Sequence, residues 1–257
     1  MEAINVGLLG FGKTGSIVAK ELVNDKSLNL KWVCRRNIVP GFAHASHAVG
    51  HDDSFAPFVE AKQFSQEFLR KNPVDFVIDF SSNTASGLYE LIASSGAKIV
   101  TAISKYDLSE MEKIKSASAK TAILYSPNIT LGINWLIIAS KVLKGIIPHA
   151  DIEVVEEHFR AKKEVSGTAL RIADHLNLTA KDHVNSIRVG GIVGKHEIIF
   201  GLPYQTIRLT HESISREAFG TGAIFAAKWL LNKPNGMYSM EQLFHEKFMK
   251  TIKELEF

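Results

Sequence analysis

Between Glu156 and Leu170 the chain reads EEHFRAKKEVSGTAL. His158 and Lys162 stand four apart, with Arg160 between them and Lys163 directly after. Histidine ordinarily titrates near neutrality, so it can hand a proton to a carbon or nitrogen that is receiving hydride. Ser166-Gly167-Thr168 follows, and then Ala169, Leu170, Ile172, Ala173 and Leu176 recur as an apolar helical face. A helix that starts on such residues turns backbone N–H groups and its positive dipole end toward a carboxylate. The stretch can therefore hold an anion at one end and offer a proton at the other. The plain alternative is a solvated charge run ahead of a helix cap.

A second set of residues lies near the N-terminus. Gly10-Phe11-Gly12-Lys13-Thr14-Gly15 fits G-x-G-x-x-G, with an apolar run before it and helical spacing after it. In that context the first two glycines allow a tight turn and close approach of a pyrophosphate, and the third lets helix and strand pack. About 20 residues on, where an acidic residue would grip the ribose hydroxyls of NAD, the chain has Arg35 and Arg36 and no carboxylate. Guanidinium forks suit a 2′-phosphate, so NADPH is the expected cofactor, with NADH the alternative. Ligands sit at the carboxyl ends of parallel strands, so Phe80, Ser81 and the segment after Val100 should border it.

The elements that position these residues follow from periodicity. Ile4–Leu9, Leu28–Val33, Val74–Phe80, Ala97–Thr101 and Ala122–Tyr125 read as strands, and helical patterns alternate with them. That alternation predicts an α/β fold with a Rossmann-type doubly wound parallel sheet. Past Pro127 come a long apolar helix (Gly132–Ile146), a strand at Ile152–Val155 and a strand-rich region from Ile187 to Ile214. This is the pattern of a second α+β domain with a mixed or antiparallel sheet. A helix over Ala218–Leu231 then ends at the turn Lys233-Pro234-Asn235-Gly236. The expected division is a dinucleotide-binding domain of residues 1–127, completed by 218–257, and a substrate-binding and oligomerisation domain of residues 128–217.

Composition bounds the rest. The chain has 257 residues, 46% hydrophobic, which suffices for sizeable cores. A net charge of +3 argues against nucleic acid as a partner. A single cysteine, Cys34, allows no internal disulfide. The N-terminus lacks the pattern of a signal peptide, and no apolar run reaches about 18 residues, so no membrane association and a cytoplasmic location are expected. His44, His47 and His51 have a spacing that metal sites use, but they are read as loop histidines and no metal is expected. His196 and His211 should be satisfied within the second sheet, and Trp32, Trp135 and Trp229 should lie in the core.

Several blocks together resemble the 4-hydroxy-tetrahydrodipicolinate (dihydrodipicolinate) reductase family. They are GFGKTG, VDFVIDFSS, YSPNITLGIN, DIEVVEEHFRAKKEVSGTAL, VGGIVGKHEIIFG, LTHESISREAFGTGAIFAAKWL and NKPNGMYSMEQL. The resemblance implies an NADPH- or NADH-dependent reduction of a small cyclic dicarboxylate in lysine and diaminopimelate biosynthesis, by a homotetramer built through the second domain's sheet. It implies His158 as proton donor, Lys162 as its partner, and Ser166, Gly167 and Thr168 as the holders of a substrate carboxylate. It implies that Ser126, Asn128 and Ile129, in the hinge loop, lie beside the nicotinamide. The family's Gly-Thr-Thr-Gly loop there is Ala102-Ile103-Ser104-Lys105 in this chain. Phe159 stands where the family usually has a second histidine in contact with substrate. Glu164-Val165 replaces Asp-Ala-Pro in a loop one residue shorter. These departures keep two alternatives open: a related imine or amino-acid dehydrogenase acting on another anionic substrate, and a non-catalytic nucleotide sensor.

Overall fold

The computed structural model describes residues 3–37 and 41–255. In chain order its elements are β1 (Ile4–Leu9), α1 (Gly15–Asn24), β2 (Leu28–Arg35), α2 (Ala45–Ala48), β3 (Phe58–Glu60), α3 (Gln66–Lys71), β4 (Phe76–Asp79), α4 (Tyr89–Ser94), β5 (Lys98–Thr101), α5 (Leu108–Ser118), β6 (Ala122–Tyr125), α6 (Leu131–Ile146), β7 (Asp151–His158), α7 (Gly167–His175), α8 (Ala180–His183), β8 (Val184–Arg188), β9 (Lys195–Leu202), β10 (Gln205–Glu212), α9 (Glu217–Leu230), β11 (Gly236–Tyr238) and α10 (Met240–Glu254). Packing divides the chain into two units, residues 1–129 with 216–243 and residues 130–215 with 244–257. Residues 244–257, which the sequence pattern places with the first domain, group with the second unit.

The first unit carries a seven-stranded sheet in the order β11-β6-β5-β4-β1-β2-β3. All its neighbouring strands pair in parallel. The chain runs outward from β1 through β2 and β3, then returns to β4 on the other side of β1 and runs outward again. The order therefore reverses between β1 and β4, where doubly wound sheets take their ligands. β4 is buried at every position, as a strand covered on both faces must be. Trp32, Tyr89, Ile92, Ile99, Ile114 and Ile123 belong to one core cluster in this unit. Asp107 caps α5 by accepting from the Glu110 backbone N–H, and the Glu110 side chain accepts from the Asp107 N–H, closing a capping box.

The second unit holds a four-stranded mixed sheet in the order β10-β9-β7-β8. β7 runs parallel to β8 and antiparallel to β9, and β10 is antiparallel to β9. One face is apolar: Ile152, Val154, Ile198 and Phe200 pack with Ile133, Leu136 and Ile137 of α6 and Ile172 of α7. β8, β9 and β10 follow one another without intervening helices, as the alternating patterns anticipated, while α7 and α8 make the crossover from β7 to its parallel neighbour β8.

Trp32 is fully buried, but Trp135 is 50% exposed, on the side of α6 away from Ile133, Leu136 and Ile137. Its ring leans on Phe248, 6.1 Å between centroids, so the expectation of a core position is corrected. Trp229 is only partly buried, edge-on to Tyr238 and under the Lys233 ammonium. Among the described residues no helix is long and apolar enough to cross a membrane.

Candidate active site

In the first unit, the loop between β1 and α1 turns over the carboxyl end of the sheet. Gly10 adopts φ +91°, which non-glycine residues rarely take, and a Cβ there would come within 2.6 Å of the Ser81 Cα. A Cβ on Gly15 would meet the Gly10 carbonyl at 2.4 Å, so the third glycine is needed for packing. At Gly12 an added Cβ would meet no atom within 4 Å, because it would point into open space. Gly12 also lines a cavity of about 590 Å³, together with Gly10, Phe11, Arg35, Arg36, Phe80 and Ser81 among others. Among the described residues its lining includes two guanidiniums and no carboxylate. No side chain caps the start of α1 at Thr14, which leaves that helix end suited to an anion.

The Arg35 guanidinium stands 5.5 Å from the Phe11 ring centroid and 5.1 Å from that of Phe58, a cation–π arrangement that holds it at the end of β2. Arg36 is exposed at the cavity edge. These groups fit a phosphate-bearing dinucleotide in charge and in steric allowance. Lys13 is exposed and Thr14 half-buried on the same loop.

Of the other expected cofactor residues, Phe80 and Ser81 line the cavity, while Ala102, Ile103, Ser104, Ser126, Asn128 and Ile129 do not. They lie at the ends of the adjacent strands. The Ala102 N–H donates to the Asp79 carbonyl, and Ser126 Oγ donates to the Asn128 carbonyl. Ile103 packs partly buried against the core and Ile129 is buried.

The strand-end loops are tied by a buried polar chain that sequence patterns did not reveal. Asp79 accepts from the Ser81 N–H and Oγ and from Tyr89 Oη at 2.6 Å; Tyr89 Oη meets Tyr106 Oη at 2.8 Å, and Tyr106 Oη meets Thr101 Oγ1 at 2.6 Å. Burial raises the Asp79 pKa against the pull of these donors. Burial and the nearby Asp79 charge lift the Cys34 thiol to about 12, which keeps it protonated and inert.

In the second unit, β7 buries every second side chain: Ile152, Val154, Glu156 and His158. The Glu156 carboxylate is fully buried. It accepts from His158 Nδ1 at 2.5 Å, Ser186 Oγ at 2.6 Å and the Ser166 N–H at 3.2 Å, and from Arg188 through Nη1 at 2.9 Å and Nη2 at 2.6 Å. Burial alone would raise its pKa, but these donors, Arg188 foremost, hold it at about 2.

Ser166 also caps α7, its Oγ accepting from the Ala169 N–H. The same hydroxyl shares a 2.8 Å hydrogen bond with His196 Nε2. The His158 and His196 rings meet edge to face at 5.4 Å. Burial, reinforced by His158 and His211, pushes His196 down to about 4. The expectation that His196 and His211 are satisfied within the sheet is not met: each Nδ1 is buried without a hydrogen-bond partner, and His196 Nε2 pairs with Ser166 at the start of α7 and not with a strand.

Lys162 lies half-buried in the loop after β7, its N–H on the Phe159 carbonyl. Phe159 is 44% exposed. The second unit thus brings together His158, Ser166, Gly167 and Thr168, with Lys162 on the connecting loop, whereas the glycine loop and arginines belong to the first. Glu156, Ser186, Arg188 and His196 were missed. Strand alternation carried a signal for Glu156, since it shares parity with Ile152, Val154 and His158.

Comparison with known proteins decides the family. The N-terminal model described as "Dihydrodipicolinate reductase, N-terminus" matches residues 4–129, and "Dihydrodipicolinate reductase, C-terminus" matches residues 129–244. The chain belongs to the dihydrodipicolinate reductase family.

Curated members named 4-hydroxy-tetrahydrodipicolinate reductase are similar along most of the chain. The one from Caldanaerobacter subterraneus subsp. tengcongensis is 35% identical, over 90% of this chain and 94% of its own. That from Helicobacter hepaticus is 30% identical, over 93% and 98%. Among solved structures, dipicolinate-bound dihydrodipicolinate reductase from Paenisporosarcina sp. TG-14 aligns with a TM-score of 0.78 at 17% identity, covering 93% of this chain and 99% of that one. An amine dehydrogenase from Mycobacterium smegmatis shares the fold at a TM-score of 0.64 and 10% identity, covering 93% and 95%. The Rossmann-type sheet and separate mixed sheet expected from the sequence are thus the family's fold.

Proposed function

We propose that the chain catalyses the NAD(P)H-dependent reduction of 4-hydroxy-tetrahydrodipicolinate to tetrahydrodipicolinate in lysine and diaminopimelate biosynthesis. A nicotinamide cofactor, when bound, supplies the hydride. Gly10, Gly12 and the start of α1 receive its pyrophosphate, and Arg35 and Arg36 receive a 2′-phosphate. Among the described residues the cavity lining carries Arg35 and Arg36 and no carboxylate, which supports NADPH over NADH. Ser166, Gly167 and Thr168 hold a substrate carboxylate at the start of α7, and Lys162 adds a cation that orients it. His158 donates the proton that completes the reduction.

The observation that carries this reading is the joining of His158 to the α7 start: both are hydrogen-bonded to one buried carboxylate, Glu156. The test is oxidation of NADPH, followed by loss of its absorbance, with the substrate generated in situ. Replacement of His158 by Gln should lower turnover by about 10²-fold or more with cofactor affinity unchanged. Full activity of that variant would remove His158 from the mechanism.

Phe159 favours a second reading, an imine reductase or amino-acid dehydrogenase for a less polar anion, because an exposed phenyl ring stands where the family's histidine contacts substrate. The same assay with other cyclic imines separates the two, since turnover only on the latter would select the second. Family resemblance further supports a homotetramer, and sedimentation velocity should give four times the chain mass.

A further inference from the structure

We infer that Glu156 is the positioning residue of this site, one rigid carboxylate that sets both the tautomer of His158 and the place of the α7 start. The inference rests on the proposed role of His158 but adds a residue that the role does not require. Oε2 faces His158 Nδ1 and Arg188 Nη1; Oε1 faces the Ser166 N–H, Ser186 Oγ and Arg188 Nη2. Five donors converge on two oxygens, which leaves the group no freedom to turn. A proton donor on β7 and an anion cradle on α7 are thereby fixed relative to each other by the width of one carboxylate.

Arg188 extends the arrangement. Its Nε donates to the Lys162 carbonyl at 2.9 Å and its Nη2 to the Glu164 carbonyl at 2.9 Å. The shortened loop that carries Lys162 is thus held by the same guanidinium that holds Glu156.

A carboxylate can only accept, so it requires Nδ1 of His158 to carry a hydrogen. The exchangeable proton is then on Nε2. Nε2 faces Gly194, 3.0 Å from where a Cβ would stand, so the missing side chain makes room for the ring. Donation from Nε2 leaves a neutral imidazole still bonded through Nδ1 to an unchanged Glu156. The charged and titratable groups around the ring are Glu156 on β7, Arg188 on β8, His196 on β9 with His211 beyond it on β10, and Lys162 on the loop; α7 contributes Ser166, which is not titratable.

Two measurements test this. In the wild-type protein, ¹⁵N shifts of His158 should place the hydrogen of the neutral ring on Nδ1. A neutral form protonated on Nε2 overturns the inference, whatever substrate the enzyme uses and whether or not any variant folds. In Glu156→Gln, the amide N–H₂ replaces an obligate acceptor. The acid-requiring limb of the kcat profile should move down by about a pH unit or more, and substrate KM should rise several-fold. Combined with His158→Gln, the Glu156→Gln change should lower kcat no further. A lower kcat with an unmoved pH limb, or a multiplicative loss in the double variant, means that Glu156 serves only the fold and overturns the inference. Ser186→Ala removes one neutral donor, keeps the Glu156 charge and does not touch His158, so it should leave the limb in place; a limb that moves as far there as in Glu156→Gln would mean that the shift does not come from the carboxylate's charge and would overturn the inference.

Discussion

A methyl group added at Gly12 meets no atom within 4 Å, and Gly12 lines the cavity, so the change spares the protein's own packing. Gly12→Ala should leave the urea midpoint unchanged and raise the NADPH Kd at least tenfold, about 1.4 kcal/mol. Titration by intrinsic fluorescence reads both quantities, and an unchanged Kd would mean that the pyrophosphate lies elsewhere. Arg36 is exposed and makes no recorded ion pair among the described residues, so Arg36→Ala should not disturb folding. A charge-assisted hydrogen bond contributes about 1.5–3 kcal/mol, so the NADPH KM should rise about 10- to 100-fold while the NADH KM changes little. Equal losses for both cofactors would remove the 2′-phosphate contact. These positions were legible in the sequence because Gly12 stands between Gly10 and Gly15, where the loop's steric demand does require glycine, and because Arg36 directly follows the end of β2. Glu156 was not legible in the same way. EVVEE contains three glutamates, and only the phase of the strand says which one points inward.

At the scale of elements, the Asp79–Tyr89–Tyr106–Thr101 chain joins the ends of β4 and β5 through α4. Tyr106→Phe deletes the hydroxyl shared by Tyr89 and Thr101 and leaves both with one partner fewer. The cost should be about 1 kcal/mol in denaturant unfolding, with a several-fold rise in cofactor KM as the loops beginning at Phe80 and Ala102 lose their common tie. An unchanged KM beside the stability loss would confine the chain to the core. None of this was visible from periodicity, because Tyr89 and Tyr106 fit apolar patterns equally well. The same limit explains β3 and β11: strands of three residues show no alternation, and β11 starts within what reads as a turn. The α7 start was legible, since Ser166 followed by an apolar helical face is a local signal. Trp135 was misread because α6 is apolar almost all round, and hydrophobicity alone does not say which side meets the sheet.

Across the whole molecule, the buried titrating groups of the two units differ in sign. In the second unit, His196 is held near 4, below its ordinary 6.5, and Glu156 near 2, below its ordinary 4.5. A group with a depressed folded pKa stabilises the fold above its unfolded value and loses that contribution as pH falls toward the folded one. For His196 the loss runs from about 6.5 to 4, since the unfolded chain takes the proton first; it amounts to at most roughly 3 kcal/mol. Glu156 adds a second loss between about 4.5 and 2. The fully buried carboxyl of the first unit, Asp79, is shifted upward by burial, so acid relieves it. Between pH 6.5 and 4.5 the second unit should therefore weaken before the first. Hydrogen exchange, corrected for the intrinsic pH dependence of the amide rate, should show protection falling in β7 and β9 while β1 and β4 hold. His196→Gln carries no titrating ring and should flatten the response over that interval. If β4 opens first, or the His196 variant keeps the same slope, the acid sensitivity does not arise from the histidine buried behind the α7 cap.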